Sequence, residues 1–341
     1  MMAMSWLCDI LKGNTLRSGG VSRRVAQGLT RGLACALLQF AGLLLLGLPT
    51  RAQTVPNAAS VAPAAKTAPA QTVTAPPPAA PGAAAETGWQ LVASIRLPNP
   101  GPASLDRRGT LYVADAANNL RQFGRDGQAL NTYAPTQPGR VGQVEAWNLT
   151  QTLLFYDDRQ QIVLLDRFLA LISEIRLADY LPDATVRTAT LAPDGRLWLL
   201  DESTLTLRTL DPQAGLLPQS TPLDLIIGRA RPDFRFLRHY QNSLYLVDRA
   251  SGIFVFDNFG NYQKKLPLPG LSYVGFRADE LYYFDAAGLH FFDLYKLRER
   301  ALPWPAALLM AGGPATVRQV LLGESHAYIL TTDGVQIYRL P

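Results

Sequence analysis

The 341-residue sequence is 48% apolar and 17% charged, a composition that folds and that excludes disorder along its whole length. Its formal charge of +5 is confined to one segment: residues 1–52 carry Lys12, Arg17, Arg23, Arg24, Arg31 and Arg51 against Asp9, whereas from Gly88 to Pro341 25 basic residues face 25 acidic ones. A domain so balanced lacks the field that holds a phosphate backbone, which sets nucleic acid aside as a partner.

The positively charged stretch ending at Arg31 runs into the apolar segment Leu33 to Leu48 and then into Thr50-Arg51-Ala52, a small-x-small cleavage pattern before Gln53. Residues 1–52 therefore read as a signal peptide, which predicts export to the periplasm, the cell envelope or the medium of a bacterium. The alternative is a retained anchor, although the run is interrupted by Gln39 and falls short of the ~20 residues of a spanning helix. Both cysteines, Cys8 and Cys35, lie in this leader, so the mature chain has no disulfide, thiolate nucleophile or cysteine-ligated metal. Residues 53–87 hold 13 Ala and 7 Pro, the makeup of a disordered spacer, which Pro76-Pro77-Pro78 stiffens towards polyproline II.

Beyond Gly88 the chain repeats. Five apolar runs end in aspartate, at Asp115, Asp157, Asp201, Asp248 and Asp285, and a sixth ends at Thr331. Each is followed, after a polar turn, by a second apolar stretch: Leu120 to Phe123, Ile162 to Leu165, Leu207 to Leu210, Ile253 to Phe256, Leu289 to Phe292 and Val335 to Tyr338. The pairs predict six hairpins, with room for two further strands per repeat of about 42 residues. The strands are nearly continuously apolar, as required when neighbouring sheets cover both faces. Four short strands per repeat, packed radially, predict an all-β six-bladed β-propeller over residues 88–341. The last repeat lacks a fourth strand of its own, and Trp89 to Leu97 is left over ahead of the first, so this N-terminal strand is expected to close the last blade.

Thr110 to Leu130 (TLYVADAANNLRQFGRDGQAL) and Asn242 to Tyr262 (NSLYLVDRASGIFVFDNFGNY) resemble NHL repeats, a strand ending in Val-x-Asp, a polar turn, and a strand ending near Asp-x-x-Gly. The resemblance implies a propeller of the NHL/TolB-like class, which includes scaffolds, ligand sensors, lactonases and lyases, so it carries no single function.

The candidate chemistry is sparse. The aspartates closing the second strands are expected to fix their turns, and their end of the propeller is the one expected to face a ligand. Arg187, Arg235, Arg238, Arg277 and Arg318 fall on or beside predicted innermost strands; an anion-binding funnel is drawn from Arg187, Arg235 and Arg318, with pairing to neighbouring carboxylates as the structural alternative. Resemblance to metal-dependent lactonase propellers raises calcium as an alternative cofactor, with Glu145 and Asn148 as its ligands. His239, His290 and His326 lie on three repeats without zinc spacing, and no Gly-x-Ser-x-Gly elbow occurs. The sequence thus reads as an exported, non-catalytic propeller without a cofactor that binds a protein or a small molecule at one face. A calcium-dependent hydrolase or lactonase and an anion-ligand sensor are the alternatives.

Overall fold

The computed structural model describes residues 88–228 and 231–341. The leader 1–52 and the spacer 53–87 are matters of sequence alone, since both lie outside the described residues. The described chain forms 24 strands in six four-stranded sheets.

After β1 (Gln90–Arg96), the first blade comprises β2 (Ala103–Leu105), β3 (Leu111–Ala114), β4 (Leu120–Phe123) and β5 (Ala129–Tyr133). The second is β6 (Val141–Glu145), β7 (Thr152–Tyr156), β8 (Gln161–Leu165) and β9 (Leu171–Arg176). The third holds β10 (Val186–Leu191), β11 (Leu197–Asp201), β12 (Thr206–Asp211) and β13 (Leu216–Pro222). The fourth holds β14 (Phe234–Tyr240), β15 (Ser243–Asp248), β16 (Gly252–Asp257) and β17 (Tyr262–Leu266). In the fifth are β18 (Gly275–Arg277), β19 (Glu280–Phe284), β20 (Gly288–Asp293) and β21 (Glu299–Pro303). The sixth takes β22 (Val317–Leu322), β23 (His326–Thr331) and β24 (Gly334–Arg339) from the C-terminal end and β1 from the N-terminal end, in the order β1-β24-β23-β22.

Why these strands are apolar on both faces is visible in β7. Leu153 and Phe155 point into a core shared with Val186, Ala189 and Leu197 of the third blade. Leu154 and Tyr156, between and beyond them, point into a core shared with Tyr112 and Leu120 of the first. Successive side chains of a strand alternate faces, so a strand sandwiched between two blades must be apolar throughout. The buried residues fall into six clusters, each joining one neighbouring pair of blades around the circle. The cluster between the sixth and first blades unites Ile95, Leu330, Val335 and Ile337 with Leu111, Val113 and Phe123.

Strand β1 pairs antiparallel with β24, from Gln90 opposite Arg339 to Arg96 opposite Gly334. Gly334 has φ 152°, and a Cβ there would stand 2.0 Å from the carbonyl oxygen of Ile95, so only glycine lets the two backbones meet.

Four of the five aspartates, Asp115, Asp201, Asp248 and Asp285, accept turn amides, as their spacing implied, whereas the Asp157 carboxylate accepts the Arg140 guanidinium instead. Asp115 accepts the amides of Ala117 and Asn119 (both 2.9 Å), and Asp285 those of Ala287 and Gly288 (2.7 and 3.2 Å). A second set, including Asp166 and Asp257, does the same between third and fourth strands. Turn residues also staple blades together. Asn118, at φ 62°, accepts the amide of Val141 (3.0 Å), and Gln160, at φ 50°, accepts that of Val186 (2.6 Å), each at the start of the next blade's innermost strand.

Candidate functional site

The innermost strands β2, β6, β10, β14, β18 and β22 run the same way, giving the propeller a start rim, where they begin, and an exit rim, where they end. The aspartate turns lie at the start rim, because Asp201 pairs with Val186 and Asp248 with Phe234, the first residues of β10 and β14.

Arg187, Arg235 and Arg318 also lie at the start rim, in equivalent positions. Each is the second residue of its innermost strand, where the ladder steps from Val186 to Thr188, from Phe234 to Phe236 and from Val317 to Gln319. Such a bulge turns one residue out of the ladder; Gly142 holds this place in the second blade. Arg187 Nε donates to the Phe234 carbonyl of the next blade (3.2 Å). Arg235 forks onto Asp233, with Nε–Oδ1 at 2.7 Å and Nη2–Oδ2 at 2.9 Å. Arg318 is exposed. These arginines therefore mark corresponding bulges, and two of them are engaged locally.

A large pocket is at the opposite end from the aspartate turns. It measures about 630 Å³ and draws residues from every blade: Asp106, Trp147, Pro193, Arg238, Phe276 and Glu324 in ring order. Its position follows from geometry, since the innermost strands deliver their C-terminal residues and following loops to the axis at this rim. Tyr240 stacks on Phe276, centroids 4.5 Å apart and planes 17° apart, and Arg107 lies over Trp147 at 5.5 Å.

Polar side chains tie the innermost strands together beneath it. Gln143 donates to the Ala189 carbonyl (2.7 Å) and accepts the Thr188 hydroxyl (2.6 Å). Gln319 both accepts from and donates to the backbone of Ala103 (3.0 and 2.9 Å). Tyr282 accepts the amide of Leu322 (3.0 Å), and burial pushes its phenol far above the ordinary tyrosine range.

Glu145, the last residue of β6, is the hub. Its side chain is 1% exposed and accepts the Thr190 hydroxyl (2.8 Å), the Leu191 amide (3.2 Å) and the Trp147 indole N–H (2.5 Å). Arg238 Nε stands 3.8 Å from its Oε2. Asn148, three residues on, accepts the amide and hydroxyl of Thr150 (3.0 and 2.7 Å), closing its own loop. This donor set does not suit calcium: the Glu145 oxygens are taken by N–H and O–H donors and face a guanidinium, and Asn148 is turned to its loop. Among the described residues, no group of three or more His, Cys, Asp or Glu side chains is arranged to hold a metal ion.

The three histidines serve separate blades. His239 Nε2 meets Asn258 Oδ1 (2.9 Å), and His326 Nδ1 meets Ser325 (2.9 Å). His290 lies between Asp285 (3.0 Å) and Glu299 (2.9 Å) and stacks on Tyr283 at 5.0 Å. Sequence reasoning missed this last cluster and the Glu145–Arg238 pair; the signal for the pair was two oppositely charged residues near the ends of predicted innermost strands.

No protein-family model matches the chain, and no curated protein sequence matches it significantly. Among solved structures, a catalytically inactive virginiamycin B lyase from Staphylococcus aureus bound to quinupristin is similar, with TM-score 0.53 and 14% identity over 74% of this chain and 100% of that one. A streptogramin B lyase is similar at TM-score 0.51 and 15% identity, covering 76% of this chain and 90% of that one. Likeness at such identity speaks to fold alone, and it agrees with the six sheets: the chain is a six-bladed all-β propeller.

Proposed function

We propose that this propeller is a non-catalytic binding module of the bacterial cell envelope, receiving a protein segment or small molecule in the exit-rim pocket. One observation carries the reading: a pocket of about 630 Å³ lined from all six blades, with aromatic walls and a few fixed polar groups, the makeup of sites that enclose a ligand. Hydrogen-bonded side chains beneath it hold the innermost strands in place, so the cavity is supported by rigid elements.

The test is a thermal-shift screen of metabolites and short peptides against the mature chain and its Trp147→Ala variant. Compounds that raise the melting temperature of the first and not of the second support the pocket. Stabilisation that survives Trp147→Ala and is lost in Arg318→Glu would move the site to the start rim.

Export rests on the basic stretch, the apolar run and the Thr50-Arg51-Ala52 pattern. Mass spectrometry of protein recovered from the periplasm should find an N-terminus at Gln53; intact Met1 in the cytosolic fraction would refute processing. Among the described residues no helix is long and apolar enough to cross a membrane.

A further inference from the structure

Arg238 is 9% exposed and lines the pocket, yet its Nε has no hydrogen-bond acceptor among the described residues. A guanidinium carries five N–H donors and stays charged at any physiological pH, so burying one without acceptors is unfavourable. Glu145 supplies the opposite charge at 3.8 Å, beyond hydrogen-bonding distance, and its oxygens already serve Thr190, Leu191 and Trp147. The Phe236 ring lies 5.3 Å from the guanidinium carbon and offers no acceptor oxygen.

His239 at the same pocket meets Asn258 through Nε2 while its buried Nδ1 has no partner, and two charged neighbours are engaged by the backbone. Asp106 accepts the amides of Arg108 and Thr110 (both 2.8 Å), and Arg277 donates to the Glu324 carbonyl (2.8 Å). Arg238 is thus a buried cation with its charge countered and its Nε without an acceptor, in the same pocket as Trp147 and the Tyr240–Phe276 stack.

We infer that Arg238 receives a carboxylate, and that the pocket takes ligands joining that carboxylate to a flat aromatic body. This rests on the pocket being the binding site. A carboxylate meets a guanidinium through two parallel N–H···O bonds, which satisfies several donors at once and fixes orientation. Trp147, Tyr240 and Phe276 supply the apolar surface for the ring. A carboxylate of this kind comes either from a free aromatic acid or from the C-terminus of a peptide ending in an aromatic residue.

The experiment is isothermal titration of the mature chain with indole-3-acetate, indole-3-acetamide, the peptide Ala-Ala-Phe and its C-terminal amide. At least one acid should bind 10-fold or more tightly than its amide. Preference for indole-3-acetate points to a metabolite and preference for the peptide acid to a protein C-terminus, and both uphold the inference. Arg238→Lys keeps the charge without the fork and should weaken the acid at least 10-fold. The double variant Glu145→Gln/Arg238→Met, which removes both charges together, should abolish the preference for acid over amide, with melting curves confirming that each variant folds. Equal binding of acid and amide, unchanged binding in Arg238→Lys, or no binding of any probe would overturn the carboxylate assignment. If hits from the thermal-shift screen still depend on Trp147 in that event, the pocket stands and only the ligand class falls; if they do not, the pocket reading fails as well.

Discussion

Replacing Glu145 by alanine removes the acceptor for Thr190, Leu191 and Trp147 and leaves Arg238 buried without its countercharge. Removing one partner of a buried ion pair costs about 3–5 kcal/mol, and the low end applies here because the pair is separated by 3.8 Å and the Arg238 side chain retains 11% exposure. For a domain of this size each kcal/mol moves the melting point by roughly 2–4 °C, so a fall of roughly 6–12 °C is expected. Glu145→Gln keeps an acceptor oxygen while losing the charge, and should fall by about half as much. Differential scanning calorimetry of both variants and of Arg238→Met, with Glu145→Gln/Arg238→Met completing a double-mutant cycle, measures the coupling directly. The double variant should recover part of the loss, because no buried charge is left unmatched. Additive losses, or a Glu145→Ala protein melting within about 1 °C of the parent, would refute the hub.

Gly334→Ala should destabilise the sixth blade, since the added Cβ meets the Ile95 carbonyl; hydrogen exchange at β1 and β24 should accelerate before that of the third blade. Burial pushes the Tyr156 and Tyr328 phenols up to about 12 from the ordinary 10.0, a shift that favours the protonated fold. Their contribution is therefore complete below pH 10 and is lost as pH rises towards 12, so the melting temperature should drop between pH 10 and pH 12, and drop less in Tyr156→Phe. At neutral pH Tyr156→Phe should be neutral or mildly stabilising by calorimetry, because the Tyr156 hydroxyl is buried without a partner. Asp115→Ala should lose about 1 kcal/mol, seen as a lower urea midpoint at unchanged m-value, by releasing two turn amides.

The repeat was legible because each blade spends its sequence the same way: an apolar strand such as Thr152–Tyr156 must satisfy two neighbours, and an aspartate must stop it. The site was less legible for a geometric reason. Arg235 and Arg238 share a strand in the sequence, and both looked like channel residues. The bulge at Arg235 shifts the alternation by one residue, and strand direction sends Arg238 to the exit rim while Arg235 stays at the start rim. Composition and periodicity locate neither a bulge nor the end of the axis that opens. Glu145 was legible as an inward polar residue, but its role depends on Thr190 and Arg238, 45 and 93 positions away in sequence, which only the ring brings beside it.

The ring itself is tested most directly by covalent linkage of its two ends. Ser94 and Gln336 face each other across β1 and β24, and Cys8 and Cys35 are the chain's only cysteines. With those two changed to serine, Ser94→Cys and Gln336→Cys should form a disulfide on mild oxidation and raise the melting temperature, by an amount equivalent to about 2–4 kcal/mol. If the two thiols stay free under oxidation while the protein remains folded, Gln90–Arg96 does not latch the sixth blade and the closed propeller is contradicted.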